Sequence, residues 1–158
     1  MNKKILAILS FLIVVAGMSA AAAFDVSDLS SVIFNSPADN ITVSGIDFSI
    51  PEGFNEVENE SLDNVPDDNP YVDYNISSKT FLNGTGEVIM VAVSSSDIAA
   101  NDTFAKDASM GGNKTKINGV DGYEFNDPDF NSFTFAKDGK LVIISASDKE
   151  LLNDVVIA

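Results

Sequence analysis

Lys114-Thr-Lys-Ile-Asn-Gly-Val-Asp-Gly-Tyr-Glu-Phe125, then Phe133-Thr-Phe-Ala-Lys-Asp-Gly-Lys-Leu-Val-Ile-Ile-Ser-Ala146, is the stretch whose reading decides the fold. Asn118-Gly119 and Asp138-Gly139 accept the positive backbone angles that two-residue hairpin turns require, so each pair predicts antiparallel neighbours. We read three successive strand signals, a three-strand meander closed by a helix. In the last strand Leu141, Ile143 and Ser145 point one way and Val142, Ile144 and Ala146 the other, so both faces are expected to be covered. That places residues 141–146 in the middle of a sheet.

Working outward, Ser147-Asp-Lys-Glu150 is a capping box before Leu151, Leu152, Val155 and Val156, and predicts a helix over 148–156. Upstream, Val88-Ile-Met-Val-Ala-Val93 is apolar on both faces and reads as a second central strand, joined through Asn83-Gly-Thr-Gly86 to β character over 71–81. Ser94 to Ser96 offer N-caps, Asp97 suits a first turn and Gly111-Gly112 stops the pattern, which predicts a helix over 97–110. Ile46, Phe48 and Ile50 alternate with Asp47 and Ser49 in a half-buried strand, and Ser44-Gly45 can turn the chain back onto residues 41–43. Pro51-Glu-Gly53 ends that strand. Residues 55–70 carry six acids and two prolines with only Val57, Leu62 and Val65 to bury, and read as a surface loop.

The first 23 residues follow a secretory plan: Lys3 and Lys4, an apolar run from Ile5 to Ala16, then small residues up to Ala23. The same run approaches the roughly 20 residues that a membrane crossing needs, so the segment is a signal peptide or an anchor. Either way the rest of the chain is expected outside the membrane. Residues 24–40 are expected to be a linker or a short helix, and 41–158 one α+β domain. Loss of Lys3 and Lys4 would take the formal charge from −15 to −17. Such a surface disfavours nucleic acid and anionic lipid, and favours cations, cationic polymers or plain solubility. With no cysteine in the chain, an exported domain must hold together by core packing alone.

The absence of histidine, cysteine and arginine removes the usual hydrolase triads, zinc sites and redox pairs. Carboxylate pairs, Ser/Lys dyads and tyrosine are what the sequence leaves for catalysis. Asp127, Asp129 and Asn131 have a D-x-D-x-N spacing that can converge on calcium, with Asp138 at the twelfth position. Ser132 stands where a sharply turning glycine is needed, and a solvated turn accounts for the same residues. Six asparagines, Asn40, Asn59, Asn75, Asn83, Asn101 and Asn113, lie in Asn-x-Ser/Thr sequons. Composition alone gives about two, so N-glycosylation competes with a merely Asn- and Ser-rich surface. The aromatic residues Tyr71, Tyr74, Phe81, Tyr123, Phe125, Phe130, Phe133 and Phe135 suit a ligand groove or, more ordinarily, a core.

Gly45-Ile-Asp-Phe-Ser-Ile-Pro-Glu-Gly-Phe54, Ile117-Asn-Gly-Val-Asp-Gly-Tyr123 and Gly139-Lys-Leu-Val-Ile-Ile-Ser-Ala-Ser147 resemble small uncharacterised exported proteins of methanogenic archaea. They are similar, more distantly, to the PsbP/DcrB-like group, in which a strand ends in a Pro-x-Gly-aromatic turn. The resemblance spans residues 41–156 and implies an antiparallel sheet between helices, with a non-catalytic accessory or binding role. Phe54 stands where that group commonly has tryptophan, and no catalytic residue carries over. The expectation is therefore a single α+β domain, a mainly antiparallel sheet of about six strands with two helices in a PsbP-like αβα sandwich after an N-terminal signal helix. Its expected role is a secreted or envelope-associated binding protein without a cofactor, acting on an envelope protein or a cell-surface polymer. It touches the membrane only through an uncleaved N-terminal segment. A carboxylate-dependent hydrolase of glycans and a calcium-stabilised adhesion module are the alternatives.

Overall fold

The computed structural model describes residues 34–37, 40–66, 74–128 and 130–157, so the predicted signal or anchor segment lies outside the described residues. In chain order the strands are β1 (Phe34–Pro37), β2 (Asn40–Val43), β3 (Ile46–Ser49), β4 (Phe54–Val57), β5 (Leu62–Pro66), β6 (Tyr74–Asn83), β7 (Val88–Ser96), β8 (Asn113–Ile117), β9 (Val120–Asn126), β10 (Asn131–Lys137), β11 (Lys140–Ala146) and β12 (Val156–Ile157). The helices are α1 (Asp102–Ala108) and α2 (Leu151–Asp154). The fold is α+β, a single domain dominated by antiparallel sheet with two short helices.

The large sheet runs β1-β4-β6-β7-β11-β10-β9-β8, with β5 also paired to β6, and a second sheet runs β12-β3-β2. All ladders are antiparallel. The chain climbs β6 and β7, crosses through α1 to the far edge, and returns by β8, β9 and β10 to lay β11 against β7. The meander has four strands where three were counted, because residues 113–117, ahead of the Asn118-Gly119 turn, form a full ladder with 120–124. Both predicted turns are tight: Asn118 and Gly119 have φ of 49° and 83°, Asp138 and Gly139 of 51° and 73°. Ser44 and Gly45 repeat the geometry between β2 and β3.

Two cores lie on opposite faces of the large sheet. Ile89, Val91, Val93, Val142 and Ile144 pack against Ile46, Phe48, Leu152, Val155 and Ile157 of the small sheet and α2. On the other face Met90, Leu141, Ile143, Tyr74 and Ile76 pack against Ala105 and Ala108 of α1. Strands β7 and β11 are central and covered on both sides, as their two-faced apolar patterns predict. Gly122 in β9 is a packing requirement, since a Cβ there would stand 2.6 Å from the Phe133 ring and 2.8 Å from the Thr134 carbonyl oxygen.

Five expectations are corrected. The sheet system has twelve described strands instead of about six; β2 and β3 fall where a strand and its hairpin partner were expected, whereas β1, β4, β5 and β12 were not expected as strands. The expected loop over 55–70 is, as far as residue 66, an interrupted strand. Here β4 lies along the C-terminal half of β6 and β5 along its N-terminal half, with a 3-10 turn (Glu58–Glu60) between them. The helix over 97–110 begins only at Asp102, because Ser94, Ser95 and Ser96 extend β7 against Ile76, Asn75 and Tyr74 and Asn101 supplies the cap. The helix over 148–156 stops at Asp154, and Val156 and Ile157 pair with Ser49 and Phe48. Asp148 caps the Glu150 amide while Ser147 Oγ accepts from the Val88 N–H, so the capping box is split between helix and sheet. In the segment expected as a linker or short helix, Phe34–Pro37 pair with β4.

Candidate functional site

The shifted ionisable groups among the described residues meet where α1 touches the β8–β9 edge. Asn101 Oδ1 accepts from the Phe104 amide and fixes the start of α1, which puts Asp102 in its first turn. The Asn118-Gly119 turn sets the register that places Lys114 opposite Tyr123. Tyr123 hydroxyl donates to Asp102 Oδ2 at 3.0 Å, and Lys114 Nζ donates to the same oxygen at 3.2 Å while lying 5.6 Å from the Tyr123 ring centroid. The Tyr123 hydrogen bond, then Lys114, holds the Asp102 pKa below the ordinary carboxylate value. The Asp102 bond raises Lys114, and burial followed by the Asp102 bond raises Tyr123.

Each shift reinforces the state the group already has near neutral pH: carboxylate, ammonium, neutral phenol. A general acid or base works best with its pKa near the operating pH, and a nucleophilic lysine or tyrosine needs a lowered one. Geometrically the cluster ties the first turn of α1 to β8 and β9 through the Tyr123 hydrogen bond and the Lys114 ion pair. Comparison with family models, curated proteins and solved structures finds no match.

The residues singled out in the sequence are scattered around the molecule. Asp127 and Asn131 stand at the two ends of the short β9–β10 connection, where the Asp127 N–H donates to the Phe130 carbonyl, and Asp129 lies outside the described residues. Asp138 is at the opposite end of β10, about 20 Å from the loop at the rise of an extended strand. No group of three or more acidic side chains suited to a metal occurs among the described residues. In the acid-rich 55–70 region, Glu56 is taken by Lys79 through two contacts of 2.8 Å.

Of the aromatic residues, Tyr74, Phe81, Tyr123, Phe133 and Phe135 are buried, Phe125 and Phe130 pack with centroids 5.8 Å apart, and Tyr71 lies outside the described residues. The nearest approach to a Ser/Lys pair is Lys140, Ser44 and Ser77. There Lys140 Nζ donates to the Ser44 carbonyl, whereas Ser77 Oγ accepts from Ser44 Oγ and from the Asn64 amide, each at 2.9 Å. This node ties the β2–β3 turn to β6 and β5. Ser78 and Ser145 hydroxyls are buried without partners, but β7 separates their strands, so they do not converge.

The sequons fall into distinct settings. Asn113 is exposed at the start of β8, Asn40 is exposed with Oδ1 accepting from Ser49, and Asn101 is exposed as the cap of α1. Asn75 is half-buried within β6, and Asn59 lies in the 3-10 turn. Asn83 Oδ1 accepts from the Thr85 amide, the Thr85 hydroxyl and the Glu87 amide, while its Nδ2 donates to Glu87. Sequence reasoning missed the Asp102 cluster. Lys114 opposite Tyr123 follows from counting back across the Asn118-Gly119 turn, but the third member needed the correct helix start.

Proposed function

We propose that the chain is an exported, envelope-associated binding protein without catalysis of its own, of the PsbP/DcrB-like type that its sequence resembles. The carrying observation is where the positive charge goes. Lys79, Lys114, Lys116 and Lys149 are each bridged to a carboxylate, and Lys140 is held by the Ser44 carbonyl. With most of the lysines beyond residue 23 engaged internally, the remaining excess of acid faces solvent and favours a cationic partner, either a basic envelope protein or a basic cell-surface polymer. The β4–β5 flank offers the matching surface: Asp63 is exposed beside Val65, one of two large apolar side chains exposed among the described residues.

The test is retention of residues 24–158 on its own envelope fraction across a salt series. Retention is expected to fall as salt rises and to weaken several-fold in Asp63→Lys, with Asp148→Lys, on the α2 side, close to the parent. Salt-independent retention that ignores Asp63→Lys overturns the acidic-flank reading. Turnover of a glycan or peptide substrate that is abolished by one Asp or Glu change overturns the non-catalytic reading.

A further inference from the structure

We propose that Asn113 carries an N-linked oligosaccharide that guards the outer edge of β8, the last of the described strands at that end of the large sheet, a reading that rests on export of the chain. The two ends of the sheet are protected differently. At one end β1 contains Pro37 and a register shift, and β5 contains Pro66, a second register shift and Asn64 at φ 50°. Prolines and bulges are standard obstacles to edge-to-edge pairing. At the other end β8 pairs with β9 in unbroken register from Asn113 to Ile117, with no proline and no bulge. Its lysines, the usual remaining deterrent, are bridged to Asp102 and Asp121 and so partly neutralised. A bulky hydrated group on β8 supplies the missing obstacle.

Asn113 is suited to carry it. It is exposed at the first residue of the edge strand, and in an extended strand residues i and i+2 share a face, so Thr115 of the sequon lies on the same face. Asn83 has its amide enclosed by Thr85 and Glu87, and Asn75 is followed by the buried Ser77, whose hydroxyl serves Ser44 and Asn64. Those two sequons serve the fold instead. In the transfer, a lipid-phosphate-linked oligosaccharide is the donor. The Asn113 Nδ2–C1 bond forms, the donor's C1–O(phosphate) bond breaks, the amide loses one proton, and the lipid phosphate leaves.

Glycopeptide mass spectrometry of the protein from its own envelope is expected to find Asn113 occupied and Asn75 and Asn83 bare. Asn113→Gln and Thr115→Ala should each lose the mass of one glycan, whereas Thr115→Ser retains it. Light scattering should show concentration-dependent association in Asn113→Gln and Thr115→Ala but not in Asn40→Gln, whose sequon lies on β2 of the other sheet. An exported chain with Asn113 bare, or with Asn83 occupied as fully, overturns the site. Occupied Asn113 with variants as monodisperse as the parent overturns the guarding role. Chain retained in the cell interior with residues 1–23 attached overturns the export reading and this inference with it.

Discussion

The β8–β11 meander and the β4–β5 flank belong to one sheet, yet only the first is written locally in the sequence. In the meander, Asn118-Gly119 and Asp138-Gly139 each fix a register by themselves, and the alternation beyond them follows. Along β4 and β5 the register comes from a distant partner: Phe54 meets Asn83 and Leu62 meets Ser78. The flank's acids, prolines and interrupted ladder are what an edge strand needs, and in sequence they look like a loop. Turn-encoded pairing is therefore expected to resist disturbance of its neighbours, and partner-encoded pairing to detach alone.

The largest effect is expected inside the meander at a glycine whose requirement is space. In Gly122→Val even the first added atom would stand 2.6 Å from Phe133 and 2.8 Å from a backbone oxygen, so the sheet or the ring must move. Overpacking of a fitted core costs about 1–3 kcal/mol and more where backbone blocks the way, so at least ~3 kcal/mol is expected here, read as a shift in denaturant midpoint. A midpoint within experimental error of the parent would show that Phe133 does not lie over β9.

The turn glycines come next, and they divide by their surroundings. Gly119→Val and Gly139→Val both force a β-branched residue into positive φ, at a cost of about 1–3 kcal/mol. A Cβ on Gly119 meets nothing within 4 Å, but on Gly139 it stands 3.4 Å from Ala99 Cβ, so Gly139→Val is expected to be the worse of the two. Equal losses would mean that the Ala99 contact relaxes freely. If both variants melt with the parent, the tight turns, and the meander with them, are wrong.

What was legible follows the same division. The two central strands, the three Xaa-Gly turns and the alternation of Ile46 and Phe48 are local patterns, and the structure keeps all of them. The missed boundaries are places where pairing overrides a local signal. Ser94, Ser95 and Ser96 have cap chemistry but continue β7 because Tyr74, Asn75 and Ile76 lie opposite. Val155 and Val156 continue a helical apolar spacing, but Val155 has ψ of 109°, and β3 takes Val156 and Ile157 as a third strand. The Asp102 cluster was illegible for the same reason: moving the helix start from residue 97 to Asp102 decides which carboxylate reaches Tyr123.

A smaller change tests the flank itself. Ser77 is buried and its hydroxyl accepts from the Asn64 amide and from Ser44. Ser77→Ala removes both bonds, at a cost of about 1 kcal/mol given that the exposed Asn64 can turn to water. The expected signature is local: faster amide exchange at Asn64 and Val65 and earlier cleavage within 62–66, with amides of β10 and β11 unchanged. Exchange that accelerates uniformly across the sheet would show that flank and meander are one cooperative unit.

The smallest effect concerns the clamp between α1 and the edge, and its sign depends on pH. Asp102 is depressed in the folded state, so its contribution is present above the unfolded carboxylate pKa, about 4, and is lost as pH falls through the lower folded value. Lys114 and Tyr123 are raised, so their contributions are present below about pH 10 and are lost as pH rises through the folded values. Asp102→Asn removes the group common to all three. The parent and variant should therefore differ by a small, constant amount on the plateau between those limits, and converge at both ends as the parent's own clamp titrates away. Tyr123→Phe keeps the Lys114–Asp102 pair and is expected to retain more of the alkaline limb than Asp102→Asn does. Since both charged side chains are more than half exposed, added salt should shrink the plateau difference as well. A difference that stays constant from pH 3 to 11 would mean that Asp102 acts through its shape at the helix start and that the charge it shares with Lys114 is incidental.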